Sequence, residues 1–359
     1  MKHLLVDISA HGYGHAAQTA PVLNRLAQLQ PALRITVRSA VPEAYLRQRI
    51  TCAFAYQAVA HDFGMHMLDA LRVDVARSLQ AYRAFHADWA HQVAQAAQAM
   101  RALQPDLLLA NVPYLSLAAA HAAGVPAVAM CSLNWADIYR YYAPQDEASA
   151  AIHAQMLAAY GSARDFLKLQ PAMPMNDLRN GREVESVVQL GTPQRARLRG
   201  ACAAAPGERL VLVAMGGIAH RLPMESWPML AGVRWLVPEA WAVQRADVVA
   251  LESLGMPFRD VLASCDAVLT KPGYGTFVEA VCGGVPILYL PRADWPETRW
   301  LVAWAARHGV VQQVLPETLA TAGAAASLHA LWAAARPPLP PAQGVQAVAA
   351  HLGNLLRLG

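Results

Sequence analysis

The chain has 359 residues, 55% of them hydrophobic and 15% charged, with a net charge of +4. That length predicts two domains, and so mild a charge excludes a dedicated nucleic-acid binder, whose basic residues would crowd one face. The most apolar stretch, 107–131, is broken by Asn111, Pro113, Ser116, His121, Gly124 and Pro126, so it cannot supply the roughly 20 apolar residues of a spanning helix. Peripheral membrane contact stays open. The first residues lead straight into a strand-like run without a signal-peptide pattern. Five dispersed cysteines with no CxxC pair fit a reducing, cytoplasmic setting.

In chain order, residues 4–9 read as a strand and 21–30 carry apolar residues at helical spacing. Residues 35–37 form a short β-branched run, and 107–110 and 127–130 are apolar runs bounded by Pro or Gly. Strands alternating with helices imply a parallel sheet and an α/β fold. From 134 to 180 the chain is polar and aromatic, with Trp135, Tyr139, Tyr141, Tyr142, Pro171 and Pro174. This stretch reads as helices and loops on the rim of the first domain. Gly191, Thr192 and Pro193 punctuate a boundary.

A second α/β series follows. Residues 210–214 form a strand ending in Gly216-Gly217, 267–270 one ending in Pro272-Gly273, 286–290 one ending in Pro291-Arg292, and 310–314 the last. A proline-rich connector, 337–341, precedes a closing helix over 345–358. The expected domains are 1–192 and 193–342, with 343–359 as the closing helix.

Two glycine turns stand out, each where a strand becomes a helix. The first is His11-Gly12-Tyr13-Gly14-His15. Its glycines permit close backbone approach, and the free amides of the following helix favour an anion. The pattern also fits a dinucleotide fingerprint. However, the second strand ends in Arg38-Ser39, with no acid for an NAD ribose, which leaves NADP as the oxidoreductase alternative. The two histidines favour another chemistry. A sugar acceptor hydroxyl must lose its proton as it attacks, and His11 or His15 is matched to that task near neutral pH. Each could instead cap the turn or pack on the helix. Asp7, in the first strand, would orient a histidine, act as base, or bond the loop backbone.

The second turn is the stronger signal: Lys271-Pro-Gly273-Tyr274-Gly275-Thr276, with Glu279 three residues after Thr276 and Gly284-Val-Pro286 beyond. Amides at 273–277 suit a diphosphate. Thr276 is expected to open the helix, and Glu279 to take two sugar hydroxyls or to complete a capping box with Thr276.

This block resembles the donor region of GT-B glycosyltransferases, particularly those similar to the peptidoglycan N-acetylglucosaminyltransferase and the nucleotide-sugar glycosyltransferases of natural products. The likeness extends over 210–309, including the segment 253–266 with Phe258, Val261 and Leu262. The N-terminal turn and Lys271–Thr276 are also similar to the glycosyltransferase-like part of plant arabinose kinases. The resemblance implies two doubly wound Rossmann-like domains facing a cleft. It also implies an inverting, metal-independent transfer from a UDP- or dTDP-sugar to an acceptor that the sequence does not identify. Carried over, Gly273, Gly275 and Thr276 would meet the diphosphate and Glu279 the ribose, with Lys271, Tyr274 and the Gly216-Gly217 turn in the donor site. No metal and no separate cofactor are expected, since the nucleotide-sugar is itself a substrate. One departure concerns the donor sugar. Where many family members carry Asp-Gln, this chain has Arg292-Ala-Asp294-Trp-Pro-Glu297, and Asp294 and Glu297 become the candidate sugar contacts. The alternatives are a nucleotide-sugar epimerase on the same scaffold and a non-catalytic nucleotide-sugar binding protein.

Overall fold

The computed structural model describes residues 1–218 and 220–358. They form two compact units. The first comprises Met1–Leu68, Val73–Val187 and the chain from Ala342 onward. Its seven strands are β1 (His3–Ile8), β2 (Arg34–Arg38), β3 (Ala55–Gln57), β4 (Leu107–Asn111), β5 (Ala127–Cys131), β6 (Asp165–Leu169) and β7 (Gly181–Val184). They lie in the order β3-β2-β1-β4-β5-β6-β7, and every pairing is parallel. Helices α1 (Gly14–Leu29), α2 (Glu43–Arg49), α3 (Val75–Ala87), α4 (Trp89–Leu103), α5 (Tyr114–Ala123), α6 (Trp135–Tyr142) and α7 (Glu147–Gly161) connect them. All residues of β1, β4 and β5 are buried, as expected of parallel strands covered on both faces.

The strand order reverses between β1 and β4, with Ile8 opposite Asn111. In doubly wound sheets ligands bind at such a switch point, beyond the carboxyl ends of the strands. The His11–His15 turn follows β1 directly. The region read as helices and loops holds α6 and α7 but also β6. That strand was hidden by Lys168 in its middle, whose Nζ donates to Pro174 O (3.2 Å) and pairs with Glu183. Trp135 and Tyr139 are buried, whereas Tyr141 is exposed.

The second unit contains Asp69–Arg72 and Val188–Pro341. Its strands are β8 (Arg209–Ala214), β9 (Val233–Val237), β10 (Val248–Ala250), β11 (Ala267–Thr270), β12 (Ile287–Tyr289) and β13 (Val311–Gln313). Their order is β10-β9-β8-β11-β12-β13, again parallel throughout. Helices α8 (Arg195–Ala201), α9 (Phe258–Ser264), α10 (Tyr274–Cys282), α11 (Thr298–His308), α12 (Pro316–Leu319) and α13 (Gly323–Ala333) flank the sheet. The switch point lies between β8 and β11, where the Gly216-Gly217 and Lys271–Gly273 turns emerge. Each unit therefore carries its glycine turn at its own switch point.

The units divide between 187 and 188, so Gly191-Thr192-Pro193 belongs to the second unit, not to the seam. It is docked on α9: Thr192 N donates to Asp260 Oδ1 (2.9 Å) and Gln194 N to Ser264 Oγ (2.8 Å). A Cβ on Gly191 would stand 2.0 Å from Arg259 O, so only glycine fits. The closing helix, α14 (Gly344–Leu358), returns to the first unit and packs on α1. Val348, Ala349, Leu352 and Leu356 are buried, and Gln30 Nε2 donates to Gly353 O (3.0 Å).

Candidate active site

In the first unit the chain leaves β1 at Ile8 and turns through Ser9-Ala10-His11-Gly12-Tyr13 into α1. Gly12 has φ 78°, a left-handed conformation that glycine adopts without a Cβ penalty. The turn is closed by Gly12 N donating to Ala10 O (2.8 Å). The bond from Ala17 N to Tyr13 O (3.0 Å) closes the first turn of α1, so the amides of Gly14, His15 and Ala16 have no acceptor within the helix. A Cβ on Gly14 would meet nothing within 4 Å, and the turn therefore opens onto unfilled space. The Tyr13 ring stacks on Tyr45 at 3.9 Å.

His15 faces inward, 5% exposed. Gln18 Nε2 donates to Ser132 Oγ (2.9 Å), and Asn111 Nδ2 donates to Gln18 Oε1 (2.9 Å). Asn111 Oδ1 is thereby left to accept from His15 Nδ1 (2.8 Å). This chain fixes the proton on Nδ1 and makes Nε2 the basic nitrogen. Burial pushes the His15 pKa down to about 4, against the opposing bond to Asn111, so the ring is neutral at physiological pH.

Asp7 is committed to a different pairing. Arg38 Nε and Nη2 donate to its two oxygens, both at 2.7 Å, with the pair 3% and 1% exposed. His61 Nδ1 lies 3.4 Å from Asp7 Oδ2. Arg38, at the end of β2, is thereby spent inside the sheet.

A residue without a sequence signal completes this region. Trp135 Nε1 donates to Asp62 Oδ2 (2.7 Å), and the Ser9 side chain also hydrogen-bonds Asp62. Burial raises the Asp62 pKa to about 7, those two hydrogen bonds oppose it, and the negative Asp7 adds to it. Gly64 presses the same loop onto its neighbours: at φ +62°, a Cβ there would stand 2.7 Å from Trp135 Cη2 and 2.9 Å from His11 Cβ. The His11 ring meets Trp135 edge-on at 5.1 Å, and His15 lies 5.7 Å from the same ring. Trp135 thus gathers His11, His15 and Asp62 around one indole.

In the second unit, Gly216 has φ 82°, and β11 runs through Lys271-Pro272-Gly273 into α10. The helix begins at Tyr274 with Gly273 as N-cap and no side-chain cap. The helix therefore opens two residues before Thr276, which lies inside its first turn, and the Thr276–Glu279 capping box does not form. Phe277 N donates to Gly273 O (3.2 Å), so the amides of Gly275 and Thr276 have no acceptor within the helix. Glu279 is buried and lines a pocket of about 240 Å³ with Leu190, Gly191, Arg259, Leu262 and Leu339. Tyr274 packs inward, while Gly216 and Gly217 are exposed.

Lys271 reaches between the two turns. Its Nζ lies 3.8 Å from where a Cβ on Gly216 would stand and 3.5 Å from one on Gly273. Burial pulls its pKa down to about 7, Arg292 lowers it further and Glu297 raises it. On the loop after β12, the buried Arg292 lies over Trp295 at 4.1 Å. Trp295 Nε1 donates to the buried Glu297 Oε2 (3.2 Å), and Asp294 is half-buried in the same loop. The second unit thus assembles helix amides, a lysine, an arginine and carboxylates around its switch point, a set suited to phosphate and sugar hydroxyls.

Among the described residues, one group brings three metal-competent atoms within 4.8 Å of one another: Asp137, His153 and Asp177. Arg140 already bridges its two carboxylates, at 3.5 and 2.6 Å. No helix among the described residues is long and apolar enough to cross a membrane.

No protein-family profile matches the chain. L-arabinokinase of Arabidopsis thaliana is 24% identical over 310 residues, covering 84% of this chain and 29% of that protein. The chain therefore spans less than a third of this relative's length. The structure of CalG4, the calicheamicin glycosyltransferase, matches with a TM-score of 0.62 at 16% identity, over 100% of this chain and 94% of that one. A Listeria monocytogenes protein provisionally assigned as a UDP-N-acetylglucosamine 2-epimerase matches with a TM-score of 0.61 at 14% identity, over 100% and 98%. The fold is GT-B, as the glycine turns and their resemblance implied. A glycosyltransferase and an epimerase share it, so the fold alone does not choose the reaction.

Proposed function

We propose that the protein is a glycosyltransferase that moves a sugar from a UDP- or dTDP-sugar to an acceptor hydroxyl, with inversion and without a metal. The observation that carries this reading is the second unit's switch point. There Lys271 Nζ lies between the Gly216 and Gly273 turns, next to the start of a helix that has no side-chain cap and that also carries the buried Glu279. Amides of Gly275 and Thr276 would bind the diphosphate and Glu279 the ribose. Asp294 and Glu297 are the groups nearest in sequence for the sugar.

The first unit would supply the base. Asp7 is held by Arg38, and His15 is buried with its pKa pushed down to about 4, which favours Asp62 and His11, drawn together on Trp135, as the groups that meet the acceptor. A carboxyl titrating at about 7 is well matched to general base catalysis near neutral pH. In the transfer, the acceptor oxygen bonds to the anomeric carbon and its proton passes to the base. The bond from that carbon to the diphosphate breaks, and its electron pair stays on the phosphate oxygen, where the amides and Lys271 stabilise it.

Epimerisation is the second reading, favoured by the Listeria match and by the acid-rich loop after β12. Labelled UDP- and dTDP-sugars, incubated with the protein and a pool of acceptors, separate the outcomes. Label in a new glycoside supports transfer. Label in an altered nucleotide-sugar supports epimerisation. Tight binding with neither product supports a binding protein.

A further inference from the structure

Tyr160, in α7, is completely buried, with its ring held against Tyr114 of α5 at 6.0 Å and Phe166 of β6 at 5.5 Å. Phenylalanine would pack there equally well, and a buried hydroxyl costs free energy unless it is hydrogen-bonded. This hydroxyl is bonded in both directions: it accepts from Trp135 N (3.1 Å) and donates to Val112 O (2.9 Å). Trp135 opens α6, so its amide has no acceptor within that helix, and Val112 directly follows β4 at the switch point. At the far end of the same tryptophan, Nε1 donates to Asp62 Oδ2 (2.7 Å). Asn111, one residue before Val112, holds His15. The carboxyl end of β4 therefore sets His15 directly and Asp62 through Tyr160 and Trp135.

We propose that Tyr160 is a positioning residue for the transfer: its hydroxyl fixes the Trp135 indole against Asp62, and so sets where that carboxylate stands and how readily it takes the acceptor's proton. The proposal rests on the reading of Asp62 as the base. Tyr160 cannot swing away, because the rings of Tyr114 and Phe166 confine it and its own carbonyl accepts from Asn180 Nδ2 (3.0 Å). Burial pushes its phenol well above the usual value, so the hydroxyl keeps its proton through the range in which Asp62 titrates. Without the hydroxyl, the Trp135 amide and the Val112 carbonyl lose their partner inside the core. The first turn of α6 then shifts to find another, and the bond from Nε1 to Asp62 lengthens. A hydrogen bond to an ionised carboxylate favours that form, so the longer bond raises the pH at which Asp62 gives up its proton.

The other groups that act on Asp62 remain when the hydroxyl is removed. The Ser9 side chain bonds it, and from β1 the Asp7 carboxylate repels its charge. Asp7 is held by Arg38 of β2 and faces His61. Burial pushes the phenols of Tyr82 in α3 and Tyr114 in α5 well above their usual value, and the Asp62 charge adds to this, so both keep their protons. His11 and His15 stand against the same indole. A change in Asp62 that follows loss of the Tyr160 hydroxyl is therefore transmitted by Trp135.

The nine tryptophans give separate indole N–H signals in the magnetic resonance spectrum of the full chain labelled with heavy nitrogen. Trp135→Phe identifies the Trp135 signal, and Asp62→Asn identifies the titration that it reports. In the wild type that signal should titrate with a midpoint of about 7. In Tyr160→Phe it should move towards the position of an unbonded indole, and its midpoint should rise by about half a pH unit or more. Transfer of labelled sugar to the acceptor pool should fall about tenfold or more, with UDP and dTDP binding at the wild-type level. Phe166→Leu is the control, because it loosens the packing of the same ring and keeps the hydroxyl. It should melt lower than wild type and leave the Trp135 signal and midpoint unmoved. The proposal is overturned if Tyr160→Phe lowers the melting temperature alone, or if Phe166→Leu moves the signal as far as Tyr160→Phe does. If the signals behave as expected but Asp62→Asn transfers sugar normally, the reading of Asp62 as base fails, and the role of Tyr160 in transfer falls with it.

Discussion

Asp62 combines three influences that rarely coincide: burial that raises its pKa, hydrogen bonds from Trp135 and Ser9 that hold it partway down, and a neighbouring carboxylate that repels its charge. Replacing it with Asn keeps the acceptor for Trp135 Nε1 and removes the proton site. Turnover should fall by about 10²–10⁴, with nucleotide affinity unchanged. The variant should also gain stability over the wild type as pH rises. The wild-type cost begins above the unfolded carboxyl value of about 3.9, grows towards neutrality, and is complete above the folded value of about 7. Melting curves from pH 4 to 8 check that trend, and a pH-independent difference would count against it. Asp7 should behave in the opposite way. Asp7→Ala strands the buried Arg38 and should cost about 3–5 kcal/mol in a denaturant titration, whereas a base role would lower turnover and leave the melt unchanged. The histidines were legible in the sequence because they flank a glycine turn after a strand. Asp62 was not. It lies in His61-Asp62-Phe63-Gly64, about 50 residues downstream, and reaches the site only because Gly64 lets that loop close on His11 and Trp135.

Helix α10 shows how an element can be located correctly and its cap misplaced. Gly273 can serve as N-cap in extended conformation, so the helix starts before the threonine that sequence favours there. Because Glu279 does not cap, Glu279→Ala should leave the melting temperature near wild type. Its loss from the ribose should still weaken nucleotide binding by about ten- to a hundredfold, the worth of a charge-assisted hydrogen bond. Titration calorimetry and a melt on one variant separate these effects. A parallel test is Gly14→Ala. The added methyl meets open space and improves helix propensity by up to about 1 kcal/mol, so the protein should melt no lower than wild type. It should nevertheless lose activity if a substrate approaches that turn. Strands such as β1, β4 and β11 were legible because each is built on three or four consecutive buried apolar residues. β9 and β10 were missed, because short 3₁₀ turns at Met224–Ser226 and Glu239–Trp241 stand where the alternation calls for helices. Trp227, Trp235 and Trp241 fill the core there instead.

Taken whole, the molecule repeats one device: a parallel sheet in each unit, a reversal of strand order, and a glycine turn at that reversal. The repetition was visible as two short echoes, Gly12-Tyr13-Gly14 and Gly273-Tyr274-Gly275. The unit to which the last helix returns was not visible, because an apolar stripe specifies a helix without naming its partner. Leu352→Ala, which removes a fully buried side chain from α14, should destabilise the first unit by about 2–5 kcal/mol, leaving nucleotide binding by the second unit intact at low temperature. The proposed function requires the second unit to hold a pyrimidine nucleoside diphosphate around Lys271 and Glu279. Thermal melting with UDP, dTDP, ADP and NADP tests it most directly. At about 100 times its dissociation constant, UDP or dTDP should stabilise the wild type by roughly 2.7 kcal/mol and exceed ADP and NADP, and that stabilisation should shrink in Lys271→Met and Glu279→Ala. Stabilisation that is greatest with NADP, or unchanged in both variants, would contradict the account.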